Sequence, residues 1–447
     1  MTFPLEGDFL MIRRTMVLLV LFVCFASAQD DELLMRLKAL PDVVDATPMK
    51  ADSTFSAGFE LRIRQPLDHA NPDGRMFQQS VYLAHAGYDR PVLLETEGYA
   101  ASARSGGHAR ELARILKSNQ IVVEHRFFGR SRPDSIEWQF LTTKQAADDL
   151  HRITVLLKSI YKGKWVSSGT SKGGQTSLFY RYYYPDDVDA SVPYVAPVNL
   201  SQEDPRIIAW LRTVGTPEER EKIRNFQIAM LMREKEMLPL METLAVQKKL
   251  TFSIGTAKAY EYSVLEYPCA FWQYGSVTSS IPPPDAPGDS MLHHLNKVAS
   301  LFYYSDQGIK AFEPFQYQAY TEIGYYGYDI TDLRGLLTTV TSPTNIILAP
   351  RNVELKFNPS VMYGVYTWLR DHGSNIIYIY GEKDIWSATA MELSGKTNAL
   401  RLIHKGGSHR VRIRDLSPEQ QKVLYSALTR WLSLSPDELT VVSSSAR

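Results

Sequence analysis

The segment Ser168-Gly169-Thr170-Ser171-Lys172-Gly173-Gly174 constrains this chain more than any other, because a Gly-x-Ser-x-Gly lies there between an apolar run and a helical pattern. Lys164 to Ser168 reads as a short buried strand, and the residues from Gln175 continue as a helix until Pro185 ends it. A strand that reverses so sharply into a helix needs residues without Cβ atoms at Gly169 and Gly173, and it lifts the Ser171 hydroxyl clear of the backbone. The same string also occurs as an ordinary glycine-rich turn, so the rest of the chain decides its meaning.

A hydroxyl is a weak nucleophile at neutral pH and needs a base oriented by a third group. On turns of this kind the partners follow in the order acid, then histidine. The run 374–380 is a buried-strand pattern that empties into Gly381-Glu382-Lys383-Asp384, and the run 399–403 empties into Lys405-Gly406-Gly407-Ser408-His409. Ser171, Asp384 and His409 are therefore each expected just past a strand end, as nucleophile, orienting acid and general base.

Eight strand-like runs are assigned to one mostly parallel sheet: 59–64, 79–84, 91–95, 120–124, 164–168, 190–195, 375–380 and 399–403. From the third onward most are separated by helical patterns, as βαβ units require. Ala146, Leu150, Ile153 and Leu157 mark one face of a helix over 143–160, and Ser417-Pro418-Glu419-Gln420 signals the last helix. This count places the three candidate residues at the carboxyl edge of the sheet, where open α/β sheets bind ligands. Residues 200–344 break the alternation. Thr216-Pro217-Glu218-Glu219 is a capping box there, helical stretches follow over 238–250 and 289–301, and ten aromatic residues lie between Phe302 and Tyr328. The segment is expected to be a mostly helical cap, with most of those aromatics in its core and some at a substrate pocket.

Residues 1–28 read as a signal peptide, with Arg13-Arg14 before the apolar run 16–25 and a small-residue cleavage site at Ala26-Ser27-Ala28. Glu6 and Asp8 ahead of the basic pair leave Met1 and Met11 both open as the start. Lipidation at Cys24 is not expected, since Val23 is larger than the small residue such a site takes. The mature chain is thus expected to be secreted or periplasmic, without a membrane span, and to keep Cys269 as its single thiol. The 49 basic and 49 acidic residues balance, which removes the electrostatic case for nucleic acid as a partner. Oligomeric state is not legible.

The strings Gln65-Pro66-Leu67-Asp68-His69, Glu124-His125-Arg126-Phe127-Phe128-Gly129-Arg130-Ser131-Arg132-Pro133, Gly169 to Thr176, and Gly381-Glu382-Lys383-Asp384-Ile385-Trp386-Ser387-Ala388 resemble the secreted bacterial prolyl tri/tetrapeptidyl aminopeptidases. Those are serine peptidases related to lysosomal prolyl carboxypeptidase and dipeptidyl peptidase II, and the resemblance spans about residues 50–435. It implies an α/β-hydrolase domain in two parts, 29–199 and 345–447, with the helical cap 200–344 inserted. It also implies a peptide substrate cleaved after proline through an acyl-enzyme. Prolyl carboxypeptidase-like or dipeptidyl peptidase activity, and a carboxylesterase or lipase on the same fold, remain as alternatives.

That chemistry requires no metal or organic cofactor. The oxyanion is expected to meet the backbone amide of Lys172 and one from the loop after the third strand, Tyr99 or its neighbour Gly98. A free substrate N-terminus in a dry site needs a carboxylate, for which Glu97 and an acidic cap residue are both candidates. Glu124 and Arg126 are expected to pair and brace the elbow, with substrate recognition as the alternative, and His125 to be a hydrogen-bonded core histidine.

Overall fold

The computed structural model describes residues 31–441; the signal-peptide reading falls on residues outside it. Nine strands form one sheet: β1 (Val43–Pro48), β2 (Ala57–Pro66), β3 (Met76–His85), β4 (Val92–Thr96), β5 (Asn119–Val123), β6 (Trp165–Thr170), β7 (Ala190–Tyr194), β8 (Ile377–Gly381) and β9 (Leu400–His404). Their order is β1-β2-β3-β5-β4-β6-β7-β8-β9, antiparallel as far as the β3–β5 pair and parallel beyond it. This is an α/β-hydrolase sheet. All eight expected strands are present, and β1 is an addition at the antiparallel edge. Its six residues fully bury only Ala46, so no period-2 apolar signal marks it.

The alternation of side chains along the strands divides the interior into two layers. Ile377 and Ile379 of β8 and Val166 of β6 face one core with Leu112, Ile115, Leu424, Leu428 and Trp431. Tyr378, Tyr380 and Trp165 face the opposite one, where the helix Thr143–Leu157 buries Ala146, Leu150, Ile153 and Leu157 as its spacing predicts. Strands buried on both faces read as near-continuous apolar runs, as Val92-Leu93-Leu94 of β4 and Ile377-Tyr378-Ile379-Tyr380 of β8 do, whereas β6 also buries Ser167 and Ser168.

Between β7 and β8 run the helices Pro205–Leu211, Pro217–Met232, Glu234–Lys248, Thr256–Tyr274, Gly288–Val298 and Asp306–Gln318. The Thr216–Glu219 capping box is formed, and Ile223, Phe226 and Met230 are buried. The long helix Thr256–Tyr274 was not expected. It contains Pro268, whose missing N–H leaves the Val264 carbonyl without its helical donor, and Gln227 Nε2 supplies one at 2.7 Å. A further helix, Pro359–Asp371, leads into β8. No helix among the described residues is long and apolar enough to cross a membrane.

Candidate active site

Ser171 sits between the end of β6 and the helix Lys172–Tyr183 with φ 59° and ψ −125°, a conformation that L-residues rarely adopt outside such elbows. Its amide donates to Tyr194 O of β7 at 2.8 Å, which fixes the turn against the next strand. The elbow is packed too tightly for side chains. A Cβ on Gly169 would lie 2.7 Å from Thr96 O, and one on Gly98 would lie 2.6 Å from Lys172 Cβ.

Asp384 follows β8 and is fully buried. One of its oxygens accepts from the Trp386 amide at 3.3 Å, while His409 Nδ1 donates to the other at 2.8 Å. With Nδ1 occupied by a carboxylate, the histidine tautomer leaves Nε2 as an acceptor. The loop that carries His409 is anchored at its own amide, which donates to Gln273 O of the helix Thr256–Tyr274 at 2.9 Å.

Ser171 and His409 both line a cavity of about 820 Å³, within the size range of small-molecule and peptide sites. Tyr99, Phe312, Phe315, Tyr325, Tyr326 and Trp386 give it an aromatic wall. Of the ten aromatics from Phe302 to Tyr328, Tyr303, Phe312, Phe315, Tyr325 and Tyr326 line it; Tyr304, Tyr317, Tyr320 and Tyr328 are buried, and Phe302 is exposed.

The loop after β4 lies against the elbow. The Lys172 amide opens its helix and has no partner in the preceding turn, and the amides of Gly98 and Tyr99 make no hydrogen bond within the described residues. The Lys172 side chain is buried, with Nζ donating to Gly98 O at 2.8 Å and lying near the rings of Tyr99 and Phe128. Burial pushes its pKa well below the ordinary lysine value.

Glu97 is placed differently from the expectation. Its carboxylate accepts from Arg110 Nη2 at 2.7 Å and does not line the cavity. Burial raises its pKa to about 7 despite that arginine. The carboxylate that does line the cavity is Glu266, on the helix missed in the sequence. The only sequence signal for it is that it is one of two acids, with Glu261, in the largely apolar and aromatic run 259–272.

Glu124 and Arg126 do not pair with each other. Arg126 forms a fully buried bidentate pair with Asp149, at 2.7 and 3.0 Å, and also donates to the carbonyls of Pro66, Leu67 and Phe140. Glu124 accepts from the amides of Ala101 and Ser131 and from the Ser131 hydroxyl. Two residues apart just beyond β5, they are drawn to partners on different elements. His125 is buried and donates from Nδ1 to Arg126 O at 2.9 Å, as a core histidine.

Residues 34–447 match the model of the PS-10 peptidase S37 family. The chain belongs to that family. This S37 peptidase is 33% identical over 387 residues to the prolyl tri/tetrapeptidyl aminopeptidase of Streptomyces mobaraensis, covering 84% of this chain and 80% of that protein. It is 26% identical over 207 residues to the lysosomal Pro-X carboxypeptidase of Bos taurus, covering 42% of this chain and 41% of that one. Among solved structures, the proline iminopeptidase of Mycobacterium smegmatis aligns with a TM-score of 0.41 at 13% identity, over 83% of this chain and 99% of that chain. The S37 chain is thus a serine peptidase, and the resemblance drawn from its motifs is borne out.

Proposed function

We propose that Ser171, His409 and Asp384 act as the catalytic triad of a secreted exopeptidase that releases short N-terminal peptides by cleavage after proline. The observation that carries this reading is the shared cavity: a strained serine elbow and a histidine held by a buried aspartate open onto one space in a chain of a serine-peptidase family. The relative from Streptomyces supports the tri/tetrapeptidyl length and the preference for proline.

In the mechanism, His409 Nε2 takes the Ser171 proton as Oγ attacks the scissile carbonyl. Asp384 holds the imidazole tautomer and stabilises the imidazolium. The amides of Lys172 and Tyr99, with Gly98 beside it, receive the oxyanion. The imidazolium then protonates the leaving amine, and water, activated by the same base, hydrolyses the acyl-enzyme. Residues 200–344 act as the cap that closes the groove, and 29–199 with 345–447 form the catalytic domain. Proline suits the aromatic wall because its ring is apolar and its nitrogen carries no hydrogen that needs an acceptor. The N-terminal segment 1–28 directs export.

Turnover of an unblocked X-Pro anilide against a simple ester tests the reading. Preferential anilide hydrolysis that disappears in Ser171→Ala supports it; ester hydrolysis alone would make the protein an esterase on the same fold.

A further inference from the structure

The cavity that holds Ser171 and His409 is also lined by Glu266, from the middle of the helix Thr256–Tyr274. The surroundings of this side chain are unusual for a charge. It is buried, it takes part in no ion pair among the described residues, and its partners are phenols: Tyr326 OH donates at 2.7 Å to one oxygen, while Tyr328 OH at 3.0 Å and Tyr304 OH at 3.4 Å reach the other. Tyr326 in turn accepts from Tyr325 OH at 3.0 Å, and Tyr303 OH lies 3.2 Å from Tyr325 OH, so a chain of hydroxyls runs along the cavity wall to the carboxylate. Phenol donors order a carboxylate but leave its charge uncompensated, and an unpaired buried charge is costly unless a cation arrives to meet it.

The other charged groups of the cavity wall, Lys297 and Arg410, are exposed side chains, whereas Glu266 is buried. A substrate end that reaches Glu266 is therefore matched by a positive charge and repelled if it is a carboxylate. Burial also raises the pKa of Glu266 to about 7, the direction expected of a carboxyl group that lacks a cationic partner.

We propose that Glu266 binds the α-ammonium group of the substrate, with Tyr304, Tyr326 and Tyr328 orienting its carboxylate, so that it is the residue that makes the enzyme select free N-termini. This rests on the exopeptidase reading above and deepens it: the site takes the amino end of a peptide. The helix that carries Glu266 also presents Gln273 O to the His409 amide, so one rigid element links the ammonium subsite to the catalytic loop.

The test compares kcat/KM for an unblocked peptidyl-Pro anilide and its N-acetylated counterpart, in the wild type, Glu266→Gln and Tyr326→Phe. The wild type is expected to prefer the unblocked substrate. Glu266→Gln is expected to lose about 10²-fold on it, mainly through KM, with the acetylated substrate unchanged, so that the preference collapses. Tyr326→Phe keeps the charge and is expected to weaken the preference less. A wild-type circular dichroism spectrum and a single cooperative thermal transition exclude misfolding. If Glu266→Gln keeps the wild-type preference, this assignment is overturned while the aminopeptidase reading stands. If the wild type itself cleaves both substrates equally, the aminopeptidase reading fails and takes the assignment with it.

Discussion

The side-chain nitrogen of Lys172 donates to the main-chain carbonyl of Gly98 across 2.8 Å, tying the residue after the elbow serine to the loop proposed to complete the oxyanion site. Both proposed amide donors therefore hang on one fastening, since the Lys172 backbone supplies one and its side chain holds the loop that supplies the other. The nitrogen is buried beside two aromatic rings and has no carboxylate partner among the described residues, so it serves the loop and not an ion pair. Lys172→Met is expected to keep the fold and lower kcat by roughly 10- to 100-fold with little change in KM, because a loosened donor weakens transition-state stabilisation first. Equal losses in KM and none in kcat would contradict this positioning role.

Removal of the proposed nucleophile is expected to give a larger effect. Ser171→Ala is expected to lose about 10⁶ in kcat, and Asp384→Asn roughly 10⁴ through the wrong imidazole tautomer, the latter magnitude taken from the chymotrypsin-type triad. Steady-state kinetics alongside circular dichroism checks both. An alanine variant retaining more than about a tenth of the rate would remove Ser171 from the mechanism.

Arg126 and Asp149 are a structural pair, and their loss falls on stability. Arg126→Met leaves the Asp149 carboxylate buried without its bidentate partner, which is expected to cost about 3–5 kcal/mol in chemical denaturation. His69, whose Nε2 lies 2.7 Å from Asp149, remains as a second partner of that carboxylate. A deficit below about 1 kcal/mol would mean that the site relaxes around the loss.

The raised pKa of Glu266 makes a signed prediction for stability. The folded carboxyl holds its proton up to about pH 7, whereas the unfolded one releases it near its ordinary value of 4.5. Between those limits the native state binds more protons than the unfolded state, so this residue's contribution falls as pH rises through the window and levels off above it. Glu266→Gln removes that term, and its melting temperature relative to wild type is expected to increase from pH 5 to pH 8. A difference independent of pH would show that Glu266 is not buried as a charge. Glu97, also raised to about 7, should behave alike and independently.

The candidate site was legible because its signals are local. Glycines at a close approach, a serine between strand and helix, and two strand ends emptying into an acid and a histidine are all written within short windows. The strand β1 was not legible, because an edge strand that fully buries only Ala46 has no pattern to read. The helix Thr256–Tyr274 was missed for a different reason. It is rich in tyrosine, carries Pro268 and is buried nearly all round, so no amphipathic period shows, and the packing that makes it a helix includes a glutamine from another helix. Glu266 was lost with it. The expected pairing of Glu124 with Arg126 followed sequence proximity, whereas Arg126 found its carboxylate on the helix Thr143–Leu157 and Glu124 was taken by backbone amides. Long-range polar choices of this kind leave no mark within a window of sequence.

The most direct test of the account is a digest of synthetic peptides with proline at positions two to four, with free or acetylated N-termini, read by mass spectrometry. The account predicts release of two- to four-residue N-terminal fragments ending in proline, from unblocked peptides only. Equal cleavage of blocked peptides, or release of single C-terminal residues, would contradict it.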